Sequence, residues 1–354
     1  MPLRLMAAGR TDTGLQREQN EDALYTRLID DHPASGIFIV SDGMGGYHAG
    51  EVASELAVET IRDDLGAIFT QTSDQTTVKL GNRRGRKRTK SGKLDPGKTK
   101  PLPKAQDDDE ADTADTAATA DTSDAASADI ETPAAEITAS ETPEETPAQT
   151  AAAEAADGDD SDEAGDTRHL LESVVMEHYA DKLRLAVEHS SQAIVDYGNE
   201  HREARGMGAT VTSALVIDGQ AFIANVGDSR TYLLRDGKLD RVTRDHSLVQ
   251  RLVEAGQIEP DDVYDHPSRN LIYRSLGAGH AAVDVDIFVE KLRAGDALLL
   301  CSDGLWEMIR DPILEKLINE QHDVEKACET LIKVANENGG EDNITAVLVR
   351  VVEA

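Results

Sequence analysis

Five short motifs in this 354-residue chain place acidic side chains at the ends of apolar runs, beside small or polar residues. They read REQNED (17–22), SDGMGG (41–46), VGDSR (226–230), CSDGLW (301–306) and GEDNI (340–344). A glycine after an aspartate allows the backbone carbonyl to turn toward whatever the carboxylate holds. One Asp-Gly pair alone is more often a β-turn, but five such sites on different strand ends indicate a shared function.

The chemistry that these motifs favour is divalent-metal binding. Carboxylates gathered without lysine partners repel one another and raise each other's pKa, and a hard divalent cation relieves that repulsion. Ligand sets made only of oxygen suit Mg²⁺ or Mn²⁺. Histidine and cysteine, which zinc prefers, are nearly absent from the motifs. The motifs therefore predict a site for Mg²⁺ or Mn²⁺.

The elements that must position these acids are mostly strands. Apolar runs between turn residues predict strands, and they cover 36–41, 209–218, 220–226, 231–234, 283–289, 296–302 and 344–352. Apolar stripes at helical spacing predict helices, and they cover 53–65, 183–197, 313–318 and 324–335. Because strands come in runs and helices in pairs, the pattern favours an α+β fold with a sheet-on-sheet core rather than alternating βαβ units.

Charge and composition argue against several classes of protein. The chain has 68 Asp+Glu against 36 Lys+Arg, and its formal charge of −32 disfavours a general binder of nucleic acid. Two cysteines cannot build a disulfide framework, so a reduced, cytoplasmic setting is the default expectation. No apolar run approaches the roughly 20 residues of a membrane helix, and the N-terminus lacks the apolar stretch of a secretory signal. No interface signal is visible, so we expect a monomer.

Residues 71–166 form a separate compositional block. The part over 71–104 carries 11 Lys/Arg and 2 Asp, whereas 105–166 carries 21 Asp/Glu and no Lys or Arg. The block has no aromatic residue, and its apolar surface is too small to offset the entropy of ordering. We predict a disordered, basic-then-acidic insertion between two helices of one globular domain, 1–70 and 167–354. We interpret it as a solvated linker; a regulatory segment is the alternative.

Taken together, the five motifs resemble those of the metal-dependent protein serine/threonine phosphatases of type 2C, the PPM family. The bacterial branch of that family is similar to this chain in further segments, namely DGMGG (42–46), GAT (208–210), TRDHS (243–247), HPSRN (266–270) and SLG (275–277). The resemblance runs from about residue 3 to residue 352, interrupted only by the insertion. It implies a central β-sandwich of two antiparallel sheets flanked by helix pairs, in αββα layers, with 1–70 and 167–354 as the catalytic domain.

The resemblance implies direct metal ligands in three of the motifs. Asp42 would bridge two metal ions, Mn²⁺ or Mg²⁺. Asp303 and Asp342 would complete the first metal site, and the Gly43 carbonyl would help to hold the second. No organic cofactor is implied.

Four further residues match functional positions of the family. Glu21 and Asp22 would act on the metals directly or through waters. Asp228, together with Asp303, matches the acids that hold a weaker third metal in bacterial members. Arg17 matches the arginine that binds phosphate, so Arg17 and Asp42 are the residues expected to take part in catalysis.

The implied activity is hydrolysis of phosphoserine and phosphothreonine in proteins, opposing bacterial Ser/Thr kinases. Two metal ions about 3.5–4 Å apart lower the pKa of a bridging water, and the resulting hydroxide would attack phosphorus in line. The Arg17 guanidinium would stabilise the phosphoryl oxygens. Two alternatives stay open: a catalytically silent relative that acts as a binding or scaffold module, and a phosphatase of a non-protein phosphate ester.

The general acid is not assigned by the resemblance. Relatives in animals have a histidine directly after Asp-Gly, and many bacterial relatives have one directly after Gly-Met-Gly-Gly. This chain has Met44 and Tyr47 at those positions, and His48 follows one residue later. A surface histidine is the more common interpretation of such a loop position.

Overall fold

Two groups of antiparallel strands organise the computed structural model, which describes residues 2–46, 48–71 and 162–354, without side chains at 71 and 162–172. The strands are β1 (Leu3–Asp12), β2 (Asp22–Ile29), β3 (His32–Met44), β4 (Gly208–Ala209), β5 (Val211–Ile217), β6 (Gln220–Val226), β7 (Arg230–Arg235), β8 (Lys238–Arg241), β9 (Leu276–Gly277), β10 (Asp286–Lys291), β11 (Ala297–Cys301) and β12 (Ile344–Glu353). The helices are α1 (Ala49–Gln71), α2 (Asp162–Glu200), α3 (Leu248–Glu254), α4 (Asp303–Trp306), α5 (Asp311–Glu320) and α6 (Val324–Glu337).

The strands form two sheets. The first has the strand order β1-β12-β11-β7-β8. The second has the order β10-β6-β5-β3-β4-β9, and β2 pairs with β3 outside this path. The strand pairs within both sheets are antiparallel. The predicted sandwich of two antiparallel sheets is therefore confirmed.

Three layers of apolar packing hold the sandwich and its helices together. The layer between the two sheets includes Leu5, Phe38 and Leu298. The outer face of the first sheet packs against α4, α5 and α6. The outer face of the second sheet packs against α1 and α2. The order of layers is thus helix, sheet, sheet, helix, which confirms the expected αββα arrangement.

Helices α1 and α2 flank the predicted insertion. The apolar stripe of α1 includes Ala57 and Leu65, and that of α2 includes Leu183 and Ile194; all four are fully buried. Helix α1 ends at Gln71 and helix α2 begins at Asp162, so both helices reach into the range 71–166 assigned to the insertion. Residues 72–161 lie outside the described residues. The described residues belong to one compact unit. Within the described part of the chain, no helix is long and apolar enough to cross a membrane.

Candidate active site

The acidic motifs meet at one end of the sandwich. Because neighbouring strands run antiparallel, the end of one strand lies beside the start of the next. The acids that close β3 and β6 therefore lie near those that open β2 and precede β12. A cavity of about 250 Å³ lies between them. Seven of the eight predicted residues line this cavity: Arg17, Glu21, Asp42, Gly43, Asp228, Asp303 and Asp342.

The eighth predicted residue, Asp22, lies buried beside the cavity. It is the register partner of Asp42 across β2 and β3. Its Oδ2 accepts hydrogen bonds from the hydroxyls of Ser302 (2.7 Å) and Thr345 (2.6 Å). Its Oδ1 is buried and has no hydrogen-bond partner among the described residues. Burial raises the pKa of Asp22 to about 7, although the two hydroxyl donors act in the opposite direction.

Asp42 and Asp303 are the most strongly perturbed acids of the site. Burial holds the pKa of Asp42 well above its usual range, and the carboxylates of Asp303 and Asp22 add to this effect. Burial likewise holds the pKa of Asp303 well above its usual range, and the Asp228 carboxylate acts in the same direction. Within the described residues, the buried Oδ1 of Asp303 also has no hydrogen-bond partner. Ionised together, these acids are unstable neighbours unless a cation lies between them.

Asp228 is positioned by a buried network behind the cavity. The indole N–H of Trp306 donates to the Asp228 carbonyl at 3.0 Å. The Arg230 guanidinium lies 3.5 Å from the centre of the Trp306 ring and forms a two-point ion pair with the buried Asp245. Burial raises the pKa of Asp228 to about 7, and the Asp245 carboxylate adds to this rise.

Glycines allow the backbone to approach Glu21 closely. The Gly43 N–H donates to the Glu21 carbonyl at 3.1 Å. A Cβ on Gly43 would overlap the carbonyl oxygen of Gly50, and a Cβ on Gly50 would stand 2.6 Å from the Glu21 carboxylate. These two positions of the glycine-rich turn are therefore needed to seat Glu21 against the start of α1. Burial raises the pKa of Glu21, and the Arg17 guanidinium opposes this.

Arg17 reaches the mouth of the cavity from the loop after β1. Its Nη2 donates to Oδ2 of Asp342 at 2.6 Å, and the arginine side chain is about half exposed (48%). The adjacent Asn343 ties this loop to the Asp342 turn. Its Oδ1 accepts from the Glu21 N–H (2.8 Å), and its Nδ2 donates to the carbonyls of Gln19 and Thr13.

The donor set fits a pair of hard divalent cations. Every side-chain atom that could bind a metal here is a carboxylate oxygen, the ligand that Mg²⁺ and Mn²⁺ favour. Two buried carboxylate oxygens, on Asp22 and Asp303, make no hydrogen bond within the described residues. Among those residues, however, no three acidic, histidine or cysteine side chains already form a closed ligand group. The acids line one shared cavity instead, and this geometry identifies the site.

Several residues of the site were not predicted from the motifs. Thr210 lines the cavity, and its backbone N–H donates to the Asp42 carbonyl at 2.8 Å. The GAT segment (208–210) was the available signal for it. Asn270 and Ile272 also line the cavity. Arg269, in the same segment, is paired with Glu307 and Glu341.

His48 does not line the cavity. Its side chain is 64% exposed. The ring nitrogens lie 3.1 Å from Nε2 of Gln19 and 3.4 Å from a carboxylate oxygen of Glu51. A surface position is thus observed for this histidine, and the site has no histidine among its lining residues.

Comparison with known proteins agrees with this arrangement. Residues 15–349 match the family described as Protein phosphatase 2C. The serine/threonine phosphatase stp of Listeria monocytogenes serovar 1/2a is 39% identical over 189 residues, which are 53% of this chain and 73% of that protein. The serine/threonine protein phosphatase PstP of Mycobacterium tuberculosis is 38% identical over 208 residues, 56% of this chain and 40% of that protein.

Solved structures match over the whole length. The crystal structure of the M. tuberculosis phosphatase PstP/Ppp superimposes with a TM-score of 0.61 at 26% identity, covering 99% of each chain. The PstP catalytic domain in complex with two manganese ions superimposes with a TM-score of 0.60 at 25% identity, covering 99% of this chain and 100% of that one. The chain, with its acids gathered at one end of an αββα sandwich, belongs to the protein phosphatase 2C family.

Proposed function

We propose that this chain is a metal-dependent protein serine/threonine phosphatase that hydrolyses phosphoserine and phosphothreonine in proteins. The observation that carries the proposal is the group of buried carboxylates around one cavity, with the Arg17 guanidinium at its mouth. The family membership and the names of the bacterial relatives support it. The PstP domain in complex with two manganese ions supports Mn²⁺ or Mg²⁺ as the metal.

The proposed metal ligands divide by position. Asp42 would bridge two ions, with Asp303 and Asp342 on one of them and the Gly43 carbonyl on the other. When bound, such a pair of cations lowers the pKa of water toward neutrality and offsets the negative charge of the phosphoryl group. Glu21 and Asp22 would act directly or through water.

Arg17 is proposed to bind the phosphoryl group of the substrate. Its guanidinium now donates to Asp342, so it already points into the mouth of the cavity, and its exposure leaves other N–H groups free to meet a ligand. A guanidinium offers paired N–H donors that match two phosphoryl oxygens. By holding the phosphoryl group in one orientation, Arg17 would lower the entropic part of the barrier. Asp228 and Asp303 are proposed to hold a third, weaker ion.

The setting of the enzyme is also a proposal. An acid-rich chain with few cysteines suits a monomer in the cytoplasm that takes part in signal transduction opposite a Ser/Thr kinase. We propose that 1–70 and 167–354 form the catalytic domain and that 71–166 is an insertion dispensable for chemistry. A silent scaffold is not favoured, because a module without catalysis has no need to retain mutually repelling buried acids.

The test is hydrolysis of para-nitrophenyl phosphate and of a phosphothreonine peptide, measured with Mn²⁺, with Mg²⁺ and with EDTA. We expect metal-dependent turnover that EDTA and Asp42→Asn abolish, while Asp31→Asn, a matched change at an exposed position, has no effect. A peptide rate well above that of other phosphate esters supports a protein substrate. A folded wild-type protein that is silent with every metal contradicts the proposal.

A further inference from the structure

A second cavity, of about 550 Å³, lies next to the active-site cavity. The segment 270–275 separates them. Asn270 and Ile272 line the active-site cavity, whereas Tyr273 and Arg274 line the second, and Ile272 contributes to both walls. A peptide that placed a phosphorylated side chain in the first cavity would cross this partition with its neighbouring residues.

The second cavity carries an arginine that is available for a ligand. Arg251, on α3, is exposed, and its guanidinium lies 3.6 Å from the centre of the Tyr273 ring. Among the described residues, it forms no ion pair or side-chain hydrogen bond. A guanidinium over an aromatic face is attracted to the ring and keeps its N–H groups available for an anion. Such an arginine is prepared for a planar anion.

The other arginine of this cavity is already in an ion pair. Arg274 donates from Nη1 to Oδ1 of Asp286 at 2.8 Å, and its side chain keeps 25% of its surface exposed. His280 and Asp284 also line the cavity. Arg251 is therefore the arginine of this cavity that has no carboxylate partner among the described residues, in a chain whose overall charge is −32.

The cavity is held in one shape by the backbone. The Leu248 N–H donates to the Leu271 carbonyl at 2.8 Å, and Ser247 forms an isolated β-bridge with Ile272. The Ser247 side chain also caps α3 by accepting from the Gln250 N–H. Helix α3 and the partition thus form one continuous piece, so the Arg251 position is set before a ligand binds.

We infer that this second cavity binds an anionic side chain of the substrate, a few residues from the phosphorylated one, with Arg251 as the specificity-determining residue. The inference rests on the proposed function and narrows its substrate class to phosphoproteins that are acidic beside the phosphosite. A carboxylate and a second phosphate share the chemistry that a guanidinium recognises, two oxygens in one plane.

The test compares phosphothreonine peptides with alanine at every flanking position to peptides with one glutamate at each position within four residues. We expect glutamate at one position or two adjacent ones to raise kcat/KM of the wild-type protein roughly 3- to 10-fold, as for a half-exposed ion pair. A peptide series with a non-hydrolysable phosphonate analogue of phosphoserine distinguishes a carboxylate from a second phosphate. The preferred anion is the one whose peptide has the larger kcat/KM relative to the alanine peptide.

A charge reversal supplies the decisive comparison. In Arg251→Glu, we expect the ratio of glutamate to alanine peptide to fall below one and lysine to be preferred at the same position. In Arg251→Lys, part of the wild-type ratio should return. Arg4→Glu, the same change at an exposed position of β1, should keep the wild-type ratio. Because each ratio is taken within one protein, a general loss of activity cancels.

Two results would overturn the inference. One is a wild-type protein that prefers no glutamate or phosphonate position by more than twofold; the other is an Arg251→Glu variant with the same preference as Arg4→Glu. Failure of the proposed function is distinct, since it shows as no turnover of the alanine peptide or of para-nitrophenyl phosphate. In that case, fluorescence anisotropy of the labelled glutamate peptide with wild-type and Arg251→Glu proteins decides the inference.

Discussion

His246 and Gly227 are joined by two reciprocal hydrogen bonds. The Gly227 N–H donates to Nδ1 of the His246 ring at 3.0 Å, and the His246 N–H donates to the Gly227 carbonyl at 2.9 Å. Because Nδ1 accepts, the neutral ring carries its proton on Nε2, which lies 3.2 Å from Oδ2 of Asp286 and 2.9 Å from Nη1 of Arg274. The ring is almost fully buried, and burial lowers the pKa of His246. Gly227 directly precedes Asp228, so this clamp holds the backbone that presents a cavity carboxylate.

Replacement of His246 by leucine and by asparagine tests the clamp. Leucine leaves the Gly227 N–H buried without an acceptor, at a cost of about 1–3 kcal/mol in the free energy of unfolding. Asparagine places its Oδ1 near the position of Nδ1 and should restore part of that stability. We expect His246→Leu to weaken Mn²⁺ binding, measured by titration calorimetry, and to lower kcat more than it raises KM.

The matched control for this pair is His322→Leu, a change at an exposed histidine before α6. It should leave thermal unfolding and Mn²⁺ affinity unchanged. Equal losses of stability and Mn²⁺ affinity in His246→Leu and His246→Asn would show that the position requires the volume of the ring and not the hydrogen-bond acceptor.

Asp42→Asn should separate stability from activity. In EDTA at neutral pH, folding requires Asp42 either to stay ionised among carboxylates that repel it or to take up a proton. The amide removes this cost, so the metal-free variant should unfold at a higher temperature than the wild-type protein. With Mn²⁺ the order should reverse, because only the wild-type protein gains from binding. The turnover of Asp42→Asn should fall at least on the order of a thousandfold, to the background level of the assay, because the acid proposed to bridge both metals is lost. An Asp42→Asn protein that is less stable than wild type in EDTA would contradict this account.

Much of the fold could be predicted because the pattern of apolar residues is local. The run 220–226 was predicted as a strand and is β6 with the same bounds. The strand expected over 283–289 is β10, which spans Asp286–Lys291. Only these residues pair with β6, from Asp286 opposite Asn225 to Lys291 opposite Gln220. Val283 and Val285 pack instead against the cluster beneath α1 and α2. Strands of two residues, such as β4 and β9, have no periodic signal to detect.

The acids of the site could be named from their motifs, but the groups that position them could not. Ser302 and Thr345 donate to Asp22 across 280 and 323 residues of sequence, and no local pattern links residues so far apart. The two hydrogen bonds between His246 and Gly227 likewise depend on how the segment after β8 folds back over the turn after β6. Sequence spacing identifies residues with the right chemistry, whereas the tertiary fold decides their contacts.

The stability of the metal-free protein should depend on pH in a defined direction. Asp22 and Asp228 have pKa values of about 7 in the folded protein, against about 4 for an unfolded aspartate. A carboxyl with a raised pKa binds its proton more tightly when folded, so its stabilising effect is complete below pH 4 and is lost as the pH rises through 7. We therefore expect the melting temperature in EDTA to fall between pH 5 and pH 7.5.

Two comparisons make this pH prediction specific. Mn²⁺ should raise the melting temperature more at pH 7.5 than at pH 5, since it offsets the repulsion only where the acids are ionised. In EDTA, the melting temperature of Asp22→Asn should fall less between pH 5 and pH 7.5 than that of the wild-type protein. The buried His246 acts in the opposite direction in both proteins, so its contribution cancels in this comparison. A melting temperature that is flat or rising from pH 5 to pH 7.5 in EDTA would refute the assignment of these acids as mutually destabilising.

Removal of residues 72–161, with a short Gly-Ser linker in their place, should leave the catalytic unit intact. Among the described side chains, the last fully buried one of α1 is Leu65 and the first fully buried one of α2 is Leu183, so the deletion takes none of them from the core. The cost of closing a loop grows only slowly with its length, by about 0.6 kcal/mol per doubling. A shorter connection between the same two helices should thus change the free energy of unfolding little.

The deletion also distinguishes the two interpretations of the insertion. If it is a solvated linker, kcat/KM for para-nitrophenyl phosphate and for a phosphoprotein should both stay within about twofold of the full chain, at low and at high salt. If its basic part, 83–88, binds an acidic partner, the phosphoprotein rate alone should change, and the change should disappear at high salt because mobile ions screen the attraction. Neutralising only 83–88 in the full-length chain is the matched control, since it keeps the connection length and removes the charge. Loss of folding on deletion would contradict both interpretations and make the insertion part of the catalytic unit.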